Sequence, residues 1–176
     1  MSIRIVSSAE VVFTPQEHHR LFEIMRIAYA SSEIEIWGEN YLRISEEEYV
    51  GLIVGGEITV AYYLDDIAGC NYVYRRNDVS YGYGLLATHL DFTKKGIGKA
   101  LVENAEATAK NAGATCMDIE ILRPRGVDVP SKVILQKWYE SMGYEFIYSE
   151  DFALRKPDKA KLLVAPSDFD CYRKVL

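Results

Sequence analysis

The chain has 176 residues, of which 49% are apolar and 26% are charged, a composition typical of one globular domain spanning residues 1–176. Its formal net charge of −6 and its lack of a long basic run argue against a general nucleic-acid binder, which needs a broad positive field. The sequence shows neither a secretory leader nor an apolar run long enough to span a membrane, so we expect a cytoplasmic location and no membrane association.

The first part of the chain predicts one short strand and two helices. Weak alternation over residues 3–6 indicates the strand. Thr14 and Glu17 form a capping box that begins a helix ending near Ala30. A second capping box begins a shorter helix over residues 45–54.

Residues 31–44 connect these helices and show no sustained period. They contain Glu33, Glu35 and Trp37. One interpretation is a solvated connection with Trp37 tucked into the core. The other is a binding wall, because carboxylates and aromatic rings together favour a cationic group. The sequence fits both interpretations.

From residue 57 the apolar period changes to two, which is typical of strands. Three strands separated by short turns predict an antiparallel meander, and the helix and strand that follow form a crossover long enough for a parallel pair. These elements span residues 57–64, 67–74, 80–89, 97–112 and 116–122. The predicted fold class is therefore α/β (α+β), with a mixed, mostly antiparallel sheet flanked by helices.

The last part of the chain predicts a helix over residues 130–142, with Pro130 at its start and Gly143 as its cap. Residues 144–148 and 171–176 predict two strands lying side by side, and residues 149–168 a loop with a short helix near 159–164. The buried stripe of the helix is expected to comprise Ile134, Leu135, Trp138, Tyr139 and Met142.

Three cysteines are widely spaced, at Cys70, Cys116 and Cys171. Their number and spacing fit neither paired disulfides nor the C-x-x-C ligands of a metal site. Each lies in an apolar or strand-like stretch. We therefore predict reduced packing residues and no metal site.

The most informative stretch is the turn before the helix at residue 97, called below the glycine turn (residues 93–99). Gly96 and Gly98 remove two β-carbons where the chain bends sharply, and the first amides of the helix lack intrahelical acceptors. Such amides and the helix dipole bind anions. Three lysines, Lys94, Lys95 and Lys99, add positive charge that suits a pyrophosphate.

Residues 93–98, Thr-Lys-Lys-Gly-Ile-Gly, resemble the acyl-coenzyme A signature Gln/Arg-x-x-Gly-x-Gly/Ala of the GNAT superfamily of N-acetyltransferases, with Thr93 in place of Gln or Arg. Residues 135–144 resemble the family's later helix, with Tyr139 four residues before a glycine. The order of elements agrees over nearly the whole chain. A Walker loop and a dinucleotide-binding fold fit less well, because the residues after Gly98 and the preceding meander do not match them.

The resemblance implies a sheet in which one parallel strand pair splays apart, and direct transfer of an acetyl group from acetyl-CoA to the amine of a small cationic molecule or a peptide. It places the pantetheine arm beside residues 86–88, the pyrophosphate on the glycine turn, and residues 116–122 in the partner strand. The implied cofactor-binding residues are Leu86, Ala87, Thr88, Lys94, Lys95, Gly96, Ile97, Gly98 and Lys99.

By the same resemblance, Tyr139 occupies the position of the acid that protonates the leaving thiolate. A family position where Asn often contacts the cofactor is here Lys132, next to Ser131. The general base stays open among Glu120, His89 and water, and Tyr81 and Tyr83 either line the acceptor cleft or fill the sheet. A non-catalytic acyl-CoA sensor or interaction module of the same fold is the alternative function, and the acyl chain length and the oligomeric state, including a homodimer, also stay open.

Overall fold

The computed structural model describes residues 2–176 as one seven-stranded sheet with helices on both faces, in the strand order β1-β2-β3-β4-β5-β7-β6. The strands are β1 (Ile3–Ser7), β2 (Ile58–Tyr63), β3 (Asp66–Arg75), β4 (Ser80–Thr88), β5 (Cys116–Pro124), β6 (Glu145–Asp151) and β7 (Ser167–Val175). The helices are α1 (Pro15–Ser32), α2 (Ile34–Trp37), α3 (Glu46–Val54), α4 (Ile97–Asn111), α5 (Pro130–Ser141), α6 (Phe152–Arg155) and α7 (Pro157–Ala160).

The helix starts predicted in the first part of the chain are confirmed. The Thr14 side chain accepts a hydrogen bond from the Glu17 amide, and the Glu17 carboxylate accepts one from the Thr14 amide at 2.7 Å. Ser45 and Glu48 form the same reciprocal pair at the start of α3. Each box satisfies amides that the first helical turn leaves without partners.

The predicted parallel pair is confirmed, and it is short. β4 and β5 pair at only three positions, from Ser80 with Cys116 to Gly82 with Asp118. β5 then continues along β7, whereas β4 continues along β3. The two parallel strands therefore separate in the middle of the sheet and leave a gap between them.

A β-bulge in β4 lies where the two strands separate. The register against β3 moves from Tyr72 opposite Gly84 to Cys70 opposite Ala87, which inserts one extra residue into β4. Leu85 has a φ of +50°, a left-handed conformation that is uncommon for a branched side chain. Such a bulge bends its strand and increases the twist, which carries β4 away from β5.

The bulge also decides which β4 side chains face each layer of helices. Leu85 and Ala87 pack in the core beneath α1 and α3, whereas Tyr83 and Leu86 pack on the opposite face with α4 and α5. All three cysteines are buried without disulfides, as predicted, and burial raises the pKa of the Cys70 thiol to about 11.

The C-terminal part departs from the prediction. β6 runs to Asp151 and α6 and α7 follow it, and α7 begins and ends earlier than the short helix expected near residues 159–164. β7 begins at Ser167, earlier than expected, because it pairs with β5 over nine positions while β6 pairs on its other side. The predicted strand pair of β6 and β7 is confirmed.

The predicted stripe of α5 is wrong at Ile134, whose side chain is 68% exposed. The buried row of α5 contains Lys132 and Tyr139, with Leu135, Trp138 and Met142 partly buried beside them. Within residues 2–176, no helix combines the length and apolar character that crossing a membrane would require.

Candidate functional site

A cavity of about 190 Å³ lies where β4 leaves β5, and we call it the splay cavity. Three elements form its walls: the end of β4, one face of α5 and the last part of α1. Its lining residues are Ala28, Tyr29, Ser32, Leu86, Ala87, Thr88, Ser131, Lys132, Leu135 and Tyr139. The structure thus brings the predicted residues of β4 together with Tyr139, which lies 51 positions later in the sequence.

Within residues 2–176, the end of β4 has a strand partner on one edge only. Ala87 and Thr88 pair with β3, and the parallel pairing with β5 has ended at Gly82. Backbone groups along the other edge therefore face the splay cavity. Because backbone donors and acceptors need partners, an extended ligand rich in amides can add to this edge as a strand would.

A second cavity, of about 260 Å³, lies at the glycine turn and shares Thr88 with the splay cavity. Gly96 has a φ of +85°, which other residues adopt only with strain. The first bond of α4 runs from the Ala100 amide to the Gly96 carbonyl, and no side chain caps the helix. The amides of Ile97, Gly98 and Lys99 therefore have no acceptor within α4.

The side chains of the glycine turn differ in their availability to an anion. Five of the residues expected to bind the cofactor line the second cavity: Lys94, Gly96, Ile97, Gly98 and Lys99. Lys95 is not part of this lining, and its amide already donates to the Phe92 carbonyl. The Thr93 hydroxyl donates to the Leu90 carbonyl at 3.0 Å. Free amides and the side chains of Lys94 and Lys99 are therefore the donors available to an anion here.

Tyr139 is buried between two other tyrosine rings. Its ring centroid lies 6.1 Å from that of Tyr83 and 5.6 Å from that of Tyr144. Burial, reinforced by the neighbouring Tyr83, raises the pKa of Tyr139 well above its usual value. The hydroxyl is therefore protonated at neutral pH and can donate a proton within the splay cavity.

Glu33 belongs to a buried charge cluster with Lys132 and Arg43. Its carboxylate lies 2.6 Å from the Lys132 Nζ and 2.9 Å from the Arg43 guanidinium, and it also accepts from the Trp37 indole at 3.0 Å. Burial alone would raise the pKa of Glu33, but the charges of Arg43 and Lys132 outweigh it, so the pKa is lowered. Glu33 is thus an ionised structural link between α1 and α5.

The two interpretations of residues 31–44 can now be compared residue by residue. Trp37 is buried, stacks on Tyr41 with centroids 4.2 Å apart, and packs edge-on against Phe152, so its predicted place in the core is confirmed. Glu35 is exposed on α2. Because Glu33 already has two cationic partners, it is not a free carboxylate for a third cation.

The model of the family described as "Acetyltransferase (GNAT) domain" matches residues 54–146, more than half of the chain. The chain belongs to the GNAT acetyltransferase family. This match contains the glycine turn, the separated ends of β4 and β5, and Tyr139. It excludes α1 and Glu33, so the α1 wall of the splay cavity lies outside the matched segment. No curated protein matches this chain.

Solved structures agree with the GNAT fold. A GNAT family acetyltransferase from Elizabethkingia anophelis with acetyl-CoA bound is 16% identical with a TM-score of 0.65, covering 99% of this chain and 98% of that one. An aminoglycoside 6'-N-acetyltransferase complexed with coenzyme A is 15% identical with a TM-score of 0.69, covering 99% and 97%. Ard1 from Thermoplasma volcanium is 11% identical with a TM-score of 0.67, covering 100% and 99%. At these identities the likeness shows the fold.

The candidate bases of this GNAT domain lie outside the splay cavity. The Glu120 carboxylate is 2.6 Å from the Arg155 guanidinium and 3.0 Å from that of Arg76, so its charge is already balanced. The Nδ1 atom of His89 accepts from the Asp91 amide at 3.2 Å. Tyr83 is buried in the core and Tyr81 packs partly buried against it. Proton removal by water is consistent with this arrangement.

Sequence reasoning missed Tyr29 as a site residue. Its spacing in the sequence fits the apolar stripe of α1, which predicts a packing residue on the core face of that helix. In the structure Tyr29 lines the splay cavity and also a neighbouring cavity beneath residues 37–44. No local signal in the sequence distinguishes such a tyrosine from a packing residue.

Proposed function

We propose that this GNAT acetyltransferase moves an acetyl group from acetyl-CoA directly to a primary amine of a small molecule or a peptide. The observation that supports this most is the early end of the β4–β5 pairing, which leaves an unpaired strand edge between an anion-binding turn and a buried tyrosine. Acetyl-CoA has an anionic, an amide-rich and a thioester part. The three parts of the site offer matching chemistry in the same order.

Each part of the site fits its part of acetyl-CoA. The free amides of Ile97, Gly98 and Lys99 would hold the pyrophosphate, and the neighbouring lysine charges replace the long polar side chain absent at Thr93. The pantetheine amides would pair with the β4 edge at residues 86–88. Gly98 leaves space beside the Trp138 ring, since an added β-carbon would lie 3.6 Å from that ring.

The chemistry needs a neutral amine, a polarised carbonyl and an acid for the leaving thiolate. The amine nitrogen bonds to the carbonyl carbon, the carbon–sulfur bond breaks, and the thiolate takes the proton of the Tyr139 hydroxyl. The proton lost by the new amide restores Tyr139 through water. The protonated state of the buried hydroxyl suits it to this role.

We propose that residues other than Glu33, Lys132 and Arg43 determine which amines are accepted. The predicted attraction of a cationic amine by Glu33 is disfavoured, because Lys132 and Arg43 already balance the Glu33 charge. Glu35 is free of such partners among the described residues, and it faces solvent on α2. We therefore expect Glu33→Gln to change stability more than the choice between neutral and cationic amines.

A screen for free thiol over a panel of amines and peptides, with acetyl-CoA present, tests the proposed function. We expect thiol release with at least one acceptor and a product carrying one added acetyl group. Tyr139→Phe should lower kcat about 100-fold with little change in acetyl-CoA affinity, since a general acid contributes this order of rate.

Tyr144→Phe is the matched control, because it removes a neighbouring core hydroxyl that donates to Glu106 at 2.9 Å. It should leave kcat within about twofold of the wild type while lowering stability by about 1 kcal/mol. Acetyl-CoA binding without thiol release on any acceptor would instead favour the non-catalytic sensor. Equal losses of kcat in both variants would contradict the acid role of Tyr139.

A further inference from the structure

We propose that Tyr29 of α1 is a second catalytic residue, whose hydroxyl donates a hydrogen bond to the carbonyl oxygen of the bound thioester. This inference rests on the proposed function. It assigns a role to the α1 wall of the splay cavity, which lies outside the segment matched by the family model.

Tyr29 reaches the point in the sheet where β4 changes direction. Its phenol lies beside the Leu86 backbone, which opposes the effect of burial on the pKa of Tyr29. Leu86 directly follows Leu85, the left-handed residue of the bulge, and has no partner in the register of β4 against β3. A bulge beside an active site commonly redirects backbone groups in this way.

Tyr29 and Tyr139 line the same cavity from opposite helices. α1 supplies Tyr29 and α5 supplies Tyr139, and the two phenols are close enough to interact electrostatically. Burial raises the pKa of Tyr29 to about 12, with the Arg43 charge opposing the increase. The Tyr29 hydroxyl keeps its proton at neutral pH and can donate a hydrogen bond to a carbonyl oxygen in the cavity.

Arg43 supports the orientation of this ring. Its guanidinium carbon lies 4.6 Å from the Tyr29 ring centroid, and Glu33 holds the same guanidinium at 2.9 Å. The Arg43 cation therefore holds the ring by its face. A donor positioned before the reaction stabilises developing negative charge without reorganisation.

The two tyrosines then divide the reaction between them. When the amine nitrogen attacks, the carbonyl electron pair moves to oxygen and Tyr29 stabilises that charge by its hydrogen bond. When the electron pair returns, the carbon–sulfur bond breaks and the thiolate takes the Tyr139 proton. Tyr29 keeps its proton throughout.

The test compares binding of acetyl-CoA with binding of S-ethyl-CoA, a thioether that lacks the carbonyl, by calorimetry without any acceptor. A hydrogen bond to the carbonyl predicts that the wild type binds acetyl-CoA about fivefold more tightly. Tyr29→Phe should bind both ligands equally and lower kcat about 100-fold. Tyr41→Phe, which removes a nearby hydroxyl outside the splay cavity, should keep the wild-type preference.

The possible outcomes distinguish a failure of the Tyr29 role from a failure of the proposed acetyl transfer. A wild type that binds both ligands equally, or a Tyr29→Phe variant that keeps the preference, would overturn the role of Tyr29 and leave acetyl transfer intact. A wild type that binds neither ligand would overturn the proposed function together with this inference. Where Tyr29→Phe fails to fold, equal binding of the two ligands by the wild type still overturns the role of Tyr29.

Discussion

The three charged side chains of the Glu33 cluster contribute unequally to the stability of the fold. Removing the Glu33 charge leaves the buried Lys132 and the partly buried Arg43 without a counter-ion, whereas removing Lys132 leaves Glu33 with Arg43 and Trp37. Removing the carboxylate that both cations share lowers the free energy of unfolding strongly, because the remaining charges stay desolvated. We therefore expect Glu33→Gln to lower the free energy of unfolding at pH 7 by about 3 kcal/mol, and Lys132→Met by less than half as much.

The contribution of Glu33 to the free energy of unfolding depends on pH in a direction that can be tested. The pKa of Glu33 is lower in the folded protein than its ordinary value, so its contribution is complete above a pH of about 4.3 and is lost as the pH falls further. Urea unfolding at pH 7 and in acid should show the difference between wild type and Glu33→Gln shrinking with acidification. A difference that stays constant or widens in acid would show that Glu33 is not held as a buried anion.

For single residues, the sequence predicted sites formed within one short segment and missed contacts between residues that are far apart in the chain. Lys94 to Lys99 form one turn, so their convergence follows from chain connectivity. Glu33 and Lys132 are separated by 99 positions, and only the packing of α1 on α5 brings them together. The same packing turns Tyr29 from an apolar stripe residue into a wall of the splay cavity.

Among the elements, α4 offers a direct comparison between its two ends. Gly96 before the helix and Gly113 after it both adopt left-handed conformations, with φ of +85° and +86°. Alanine at either position costs about 1 kcal/mol from backbone strain. Only Gly96 belongs to the glycine turn, so we expect Gly96→Ala to weaken acetyl-CoA binding at least tenfold and Gly113→Ala to leave it unchanged.

Thermal unfolding and calorimetric titration of both variants check this expectation. Similar losses of stability with unequal losses of affinity would support an anion site at the start of α4. An added β-carbon meets nothing closer than 3.8 Å at Gly96 and nothing within 4 Å at Gly113, so crowding does not explain a difference. Equal affinities in the two variants would place the pyrophosphate elsewhere.

The elements that were predicted well carry their own boundary signals. The capping boxes at Thr14 and Ser45 and the left-handed Gly113 after α4 are local features of a few residues each. Residues 149–168 were misassigned because the length of β6 and β7 depends on their pairing with each other and with β5. Strand propensity alone does not report such pairing.

Across the molecule, two departures from regular pairing create the candidate site. The β4–β5 pairing ends at Gly82 although both strands continue, and the bulge at Leu85 turns β4 away. The crossover length predicted a parallel pair, and the family resemblance implied its separation. The bulge itself has no signature in the sequence, because Leu85 is a poor candidate for a left-handed conformation.

Hydrogen exchange with and without acetyl-CoA tests most directly whether the unpaired β4 edge and the glycine turn hold this ligand. At saturating acetyl-CoA, amides in peptides covering residues 84–89 and 95–101 should exchange at least tenfold more slowly, because they gain a partner and open less often. Peptides covering β6, the outer strand on the far side of the sheet, should change less. Unchanged exchange at residues 84–89 in a protein that binds acetyl-CoA would contradict the site described for this chain.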